Sequence, residues 1–132
     1  MSKAVLRAGS EDEFWTSERC FIRERINHVS IPGFSLADSR VEPGVTTEWH
    51  RLTVDEWYYI VEGEGLMEVG DADACRVGPG DTVTIPAGIR QRITNTGEID
   101  LRLQCVCQPR FTPESYESLE TTEPTAGAWR RS

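Results

Sequence analysis

Only two histidines, His28 and His50, occur in the 132 residues, and no stretch of lysine and arginine is dense enough to form a basic patch. The arginines are scattered, and the formal net charge is −8. Phosphate backbones and anionic membrane surfaces are recognised by clustered cations, so the composition argues against nucleic acid and membrane as partners. A few arginines remain available to hold an anionic substrate inside a pocket. No apolar run approaches the ~20 residues that a membrane-spanning helix needs. The opening residues, M-S-K-A-V-L-R-A-G-S-E-D-E, lack the apolar centre of a signal peptide, and a cytoplasmic protein is expected. In a reducing compartment Cys20, Cys75, Cys105 and Cys107 should be free thiols. Cys105 and Cys107 stand too close on an extended strand for an easy bridge. A long helical pattern is also missing ahead of the C-terminal tail.

What the chain does have is a succession of short strands cut by turn residues. Hydrophobic content of 38% and charged content of 27% are ordinary for one soluble globular domain. Residues 14–26 read as a first strand with an irregular start, and residues 27–33 as a loop ending in Pro32-Gly33. Strands follow over 34–41, 46–52, 56–62, 66–69, 75–77, 82–85, 91–94 and 101–107. Gly63 and Gly65, Gly78-Pro79-Gly80, and Pro86-Ala87-Gly88 punctuate them. Such spacing in one compact domain implies an all-β sandwich or barrel. The barrel domain is expected to span 1–111, with 112–132 as a partly ordered C-terminal tail. Thr112-Pro113 could start a turn of helix there. Residues 121–132 should fray, though Trp129 could dock on a neighbouring surface.

Two stretches carry the chemistry. Residues 44–63 read G-V-T-T-E-W-H-R-L-T-V-D-E-W-Y-Y-I-V-E-G, and residues 80–95 read G-D-T-V-T-I-P-A-G-I-R-Q-R-I-T-N. The spacing of Gly44, His50, Glu56 and Gly63, and of Gly80, Pro86, Gly88 and Asn95, resembles the two motifs of the cupin superfamily. The resemblance covers about residues 34–109. It implies the double-stranded β-helix, or jelly-roll barrel, with a short C-terminal extension. Leu52 and Gln91 stand where two of the three usual metal-binding histidines would be.

Side chains on a strand alternate between faces. With His50 pointing inward, Glu48 and Leu52 do so too, and Tyr58 and Ile60 share the face of Glu56. His50 ends one strand and Glu56 opens its expected hairpin partner, with Gln91 starting a strand of the same wall. The resemblance places Leu103, Cys105 and Cys107 on the inner face of the last strand, with Ala37 and Ser39 on another. Ser39, Leu52, Ile93, Leu103 and Cys105 are then expected to line a largely apolar pocket suited to a small organic ligand. His50, Glu56 and Gln91 form the candidate metal site. Their nitrogen and oxygen donors suit Zn, Fe, Mn or Ni without choosing among them. Glu48 and Tyr58 are the candidate catalytic residues that would move a proton. His28 lies in a loop, with nothing in its spacing to aim it at the site. Trp57 and Tyr59 alternate away from the pocket.

Cupins include dioxygenases, isomerases, epimerases, lyases and decarboxylases. With so few imidazoles, the resemblance implies metal-assisted isomerisation, elimination or hydration of a small oxygenated metabolite, rather than dioxygenation. A metal-free binding module is the alternative. A vestigial structural dimer is a third reading. Phe14, Trp15, Phe21 and Ile22 offer more apolar surface than an edge strand should expose, so a homodimer is expected.

Overall fold

The computed structural model describes residues 4–9 and 12–120. Two antiparallel sheets face each other, and from β3 onward the chain passes repeatedly between them. One sheet has six strands in the order β1-β2-β3-β10-β5-β8, and the other has five in the order β11-β4-β9-β6-β7. In sequence these are β1 (Phe14–Trp15), β2 (Phe21–Ile26), β3 (Ser35–Val41), β4 (His50–Leu52), β5 (Asp55–Glu62), β6 (Gly65–Val69), β7 (Cys75–Val77), β8 (Thr82–Ile85), β9 (Gln91–Asn95), β10 (Leu101–Gln108) and β11 (Tyr116–Ser118). This is the expected all-β jelly roll. No helix among the described residues is long and apolar enough to cross a membrane.

The alternation written in the sequence sets what is buried. Along β5, Glu56, Tyr58 and Ile60 point inward, and along β9 so do Gln91, Ile93 and Asn95. The main core gathers Ile22, Val41, Ile60, Ile85, Ile93 and Leu101, each no more than 1% exposed. Each such side chain contributes roughly 1.5–3 kcal/mol of apolar burial. A second, smaller cluster of Leu52, Val54, Cys107 and Phe111 sits beside it. The buried amide of Asn95 is satisfied: it donates to the carbonyls of Val41 and Ile99 at 2.8 Å and accepts from the Gly97 amide. That is why an amide, rather than an apolar residue, can occupy this interior position.

Three expectations are corrected. The stretch 14–26 is two strands, β1 and β2, paired antiparallel around a tight turn over 16–20. Thr16 makes that turn: its amide donates to the Cys20 carbonyl, its own carbonyl accepts from Arg19, and Arg19 adopts φ 74°. Next, β4 and β5 are not a hairpin pair, because they belong to opposite sheets. Two residues, Thr53 and Val54, carry the chain across the barrel instead of back along the same sheet. Finally, the tail is not all peripheral. After a single 3₁₀ turn at Pro113–Ser115, β11 pairs with β4 and completes the five-stranded sheet. The expectations for Trp129 and for fraying over 121–132 fall outside the described residues.

Gly63 and Gly44 both hold positive φ, at 88° and 80°, but in different surroundings. A Cβ on Gly63 would lie 2.8 Å from the Asp100 carbonyl oxygen, whereas one on Gly44 would meet nothing within 4 Å. Gly44→Ala should therefore cost only the left-handed backbone penalty, about 1–2 kcal/mol. Gly63→Ala adds a clash with backbone and should cost roughly 2–4 kcal/mol. Urea unfolding midpoints of the two variants test the ordering.

Candidate functional site

Where the two sheets face each other near β4, the interior turns from apolar to polar. Glu18, Glu48, His50, Glu56 and Gln91 are all buried there, His50 to 2% exposure and Gln91 to 0%. Among the described residues the buried charged groups are these glutamates and the histidine, with no lysine or arginine.

His50 opens β4, and its Cα is paired with that of Gln91 on β9. The Nδ1 of His50 lies 2.8 Å from the Glu48 backbone carbonyl, which can only accept, so Nδ1 carries the proton. The Nε2 lone pair then points into the barrel. The Tyr116 ring stacks on the imidazole, with centroids 4.8 Å apart and planes within 15°. Burial lowers the His50 pKa, against the opposing pull of Glu56 and the Glu48 carbonyl.

Glu56 reaches the site from the opposite sheet. Its Oε1 accepts a 2.7 Å hydrogen bond from Gln91 Nε2, and the Cys107 thiol lies 3.7 Å from its Oε2. The Gln91 carbonyl oxygen in turn accepts from the Tyr58 hydroxyl at 2.7 Å. This order is physically required, because only the NH₂ end of the amide can face a carboxylate. Gln91 is thus brought to His50 and Glu56 as expected, with its oxygen engaged by Tyr58. Burial pushes the Glu56 pKa up to about 7, with His50 and the Gln91 bond pulling the other way. Burial, and then Glu56, drives the Tyr58 phenol well above its usual value. Tyr58 therefore keeps its proton and stands as a fixed donor to Gln91.

The other expected residues fall as follows. Glu48 is buried, and its Oε1 accepts a 2.5 Å hydrogen bond from the Tyr116 hydroxyl. Leu52 packs in the smaller apolar cluster beside the site. Ser39, Ile93 and Leu103 are buried, and Cys105 is partly buried against the main core. His28 is an exposed loop residue bonded to Ser30. A narrow cavity of about 20 Å³ leads past Asn27, Ala37 and Phe111 to Glu56, Cys105 and Cys107. That is room for about one water.

Two residues escape the sequence reading. Glu18, in the turn between β1 and β2, is 4% exposed, and its Oε2 lies 3.6 Å from His50 Nε2. Its Oε1 has no hydrogen-bond partner among the described residues. Burial, and then the neighbouring Glu48, raises its pKa to about 8. With both groups neutral near pH 7, this contact is not a strong ion pair. Tyr116 is the other, delivered by β11. Nothing in the local pattern marks Glu18; Tyr116 is signalled only as an aromatic residue in a polar tail.

Among the described residues no three His, Cys, Asp or Glu side chains form a ready-made cage for a metal ion. The chemistry of the donors nonetheless suits an open site. His50 offers a bare imidazole nitrogen, and Glu56 and Glu18 offer carboxyl oxygens, one of them without a partner. Like-charged carboxyls gathered in an apolar interior are the surroundings that a cation relieves.

The raised carboxyl pKa values have a consequence for stability. Between the ordinary value of 4.5 and about 8 the folded chain holds a proton on Glu18 that the unfolded chain has lost. Stability therefore falls as pH rises through this window. Glu56 acts in the same sense up to about 7. His50, with its lowered pKa, opposes them only below 6.5. Metal-free protein should be less stable at about pH 8.5 than at about pH 7, and Glu18→Gln should flatten that loss. Urea midpoints at the two pH values check this.

Comparison with known proteins agrees with the geometry. The cupin-domain family matches residues 37–107. An uncharacterized protein of Methanocaldococcus jannaschii is 36% identical over 80% of this chain and 86% of its own length. L-ectoine synthase of Rhodococcus opacus is 28% identical over 78% of this chain and 74% of its own. Among solved structures, Bacillus subtilis oxalate decarboxylase superposes with a TM-score of 0.73 at 20% identity. That match covers 83% of this chain but 30% of the decarboxylase chain. A Streptomyces protein, PAC13, solved with uridine, superposes with a TM-score of 0.72 at 17% identity, over 90% of this chain and 92% of its own. At such identities the structural likeness speaks for the fold alone. Family match, relatives and architecture coincide: the chain belongs to the cupin family.

Proposed function

We propose that this cupin holds a divalent metal ion inside the barrel through His50 and Glu56, beside Gln91, and acts on a small oxygenated metabolite by isomerisation, elimination or hydration. The observation that carries this reading is the state of His50. Its Nδ1 proton is committed to a backbone carbonyl, so the Nε2 lone pair faces a carboxyl-lined interior. A bound ion would supply polarisation of a carbonyl or a more acidic water. The chain's own groups do the rest. Tyr58 holds Gln91, and Gln91 holds Glu56. Glu48, buried next to His50 and bonded to the Tyr116 hydroxyl, is the carboxyl left to move a proton. The cavity that ends at Glu56 offers a small molecule its approach, with outward movement of the wall around Asn27 and Phe111. Relatives named for small-molecule chemistry, L-ectoine synthase and oxalate decarboxylase, and one solved with uridine, support a small organic ligand.

A metal-free small-molecule binder is the second reading. It is favoured by the absence of a three-residue cage among the described residues and by Leu52 beside the site. Elemental analysis of untagged protein separates the two. The metal reading expects about one equivalent per chain, lost in His50→Ala together with any activity. Metal content near zero in the unsubstituted protein, or unchanged in His50→Ala, refutes it.

We also propose a cytoplasmic homodimer. Phe14 and Ile22 are used within the fold, but Trp15 remains 51% exposed and packs only edge-on against Phe21. Light scattering after gel filtration at micromolar concentration should give twice the chain mass; a monodisperse monomer contradicts the dimer.

A further inference from the structure

Glu18 is an expensive residue to place where it lies. A carboxyl oxygen buried without a partner is destabilising, and more so when charged. Yet the turn that carries it is pinned at several points. The Thr16 hydroxyl accepts from the Glu18 amide at 3.2 Å, and the Glu18 carbonyl accepts from the Glu48 amide at 3.0 Å. Arg19 donates from Nε to the Thr46 carbonyl at 2.8 Å, and its Nη2 grips Glu120 at 2.9 Å. Glu120 is itself tied to the residue before β4, because its Oε2 accepts from the Trp49 amide at 2.6 Å. These bonds fix the backbone on both sides of Glu18 and drive its side chain inward. Arg19 and Glu18 point opposite ways from adjacent positions, one to the surface and one to the interior.

The carboxyl arrives opposite the one His50 atom that has no other engagement. Glu18 Oε2 stands 3.6 Å from Nε2, too far for a hydrogen bond, and Oε1 is unpartnered. A nitrogen lone pair and a carboxyl oxygen converge without bonding each other. Two ligands of one small cation stand in this relation, each directed at the ion rather than at its neighbour. Glu56 reaches the interior from the other sheet, with its Oε1 bonded to Gln91 and its Oε2 beside the Cys107 thiol.

We infer that Glu18 is a further ligand of the cation bound by His50 and Glu56, supplied by the turn between β1 and β2 in place of an imidazole from the barrel strands. The inference rests on the metal reading proposed above and deepens it. The ligand set becomes one imidazole nitrogen with two carboxylates, which suits a divalent first-row transition metal. It also makes the N-terminal hairpin part of the site: binding of the ion should draw the turn over 16–20 onto His50.

Co²⁺ alone is the probe, added to metal-free full-length protein, with affinity read by calorimetry and ligand geometry by visible absorption. Unsubstituted protein should bind one Co²⁺. Glu18→Gln should weaken binding tenfold or more and change the absorption band. Its metal-free melting temperature should be no lower than that of the parent, because an unpaired buried carboxyl has been removed. Glu18→Asp keeps the charge but withdraws it by one methylene; it should bind with intermediate affinity. Glu117→Gln, at an exposed ion pair with Arg51, should bind as the parent does. Unchanged Co²⁺ affinity and spectrum in both Glu18 variants, with binding lost in His50→Ala, overturns the role of Glu18 and leaves the metal reading standing. No Co²⁺ uptake by the unsubstituted protein overturns both.

Discussion

The side-chain amide of Gln91 joins the two sheets where their shared interior is polar. Gln91 lies on β9 of the five-stranded sheet, and its two partners, Glu56 and Tyr58, lie on β5 of the six-stranded one. An amide is the side chain that can do this, since it donates to a carboxylate and accepts from a phenol at the same time. An apolar side chain there would leave the buried Glu56 carboxyl without this donor. The cost of that would be several kcal/mol. Glu56 is thus held at a set position and with a proton affinity near neutrality, and the polar centre is organised around it.

The second constraint comes from the two ends of the described chain. The turn over 16–20 and strand β11 close over His50 from different directions. Tyr116 stacks on the ring and bonds Glu48; Glu18 faces Nε2; Arg19 and Glu120 latch the two segments together. The exposed latch itself contributes little stability. Its value is positional, because it holds both segments against Trp49 and His50. The result is a buried imidazole with one nitrogen committed and the other facing the Glu18 carboxyl. There, electrostatic interactions are stronger than at the surface.

The strand pattern, the jelly roll and the inward positions of His50, Glu56, Gln91, Ile93 and Leu103 were legible in the sequence. The reason is local: alternation of period two and the glycine and proline turns act within a few residues. The structure bonds Gln91 to Glu56 and pairs it with His50 across β9 and β4. What was misread was the pairing of β4 with β5. A short connection between two strands usually signals a hairpin, yet Thr53 and Val54 cross from one sheet to the other. Local pattern cannot distinguish these outcomes, since the two sheets offer the same alternation. The break at Thr16–Cys20 was hidden for a similar reason. That turn has neither glycine nor proline, and Arg19 supplies its left-handed residue.

The sequence by itself determined the family, the all-β architecture and the inward strand positions of His50, Glu56 and Gln91, because each is encoded in short-range spacing. Only the tertiary structure decided that Glu18 and Tyr116 belong to the same centre. They lie 98 positions apart in the numbering, and the long-range bonds of the 16–20 turn to Thr46 and Glu48, together with the pairing of β11 with β4, bring them to His50. The same packing decided the proton position on His50, the direction of the Gln91 amide and the raised pKa values of Glu18 and Glu56. These depend on burial and on which partner stands opposite, and neither is written in any local stretch of the chain.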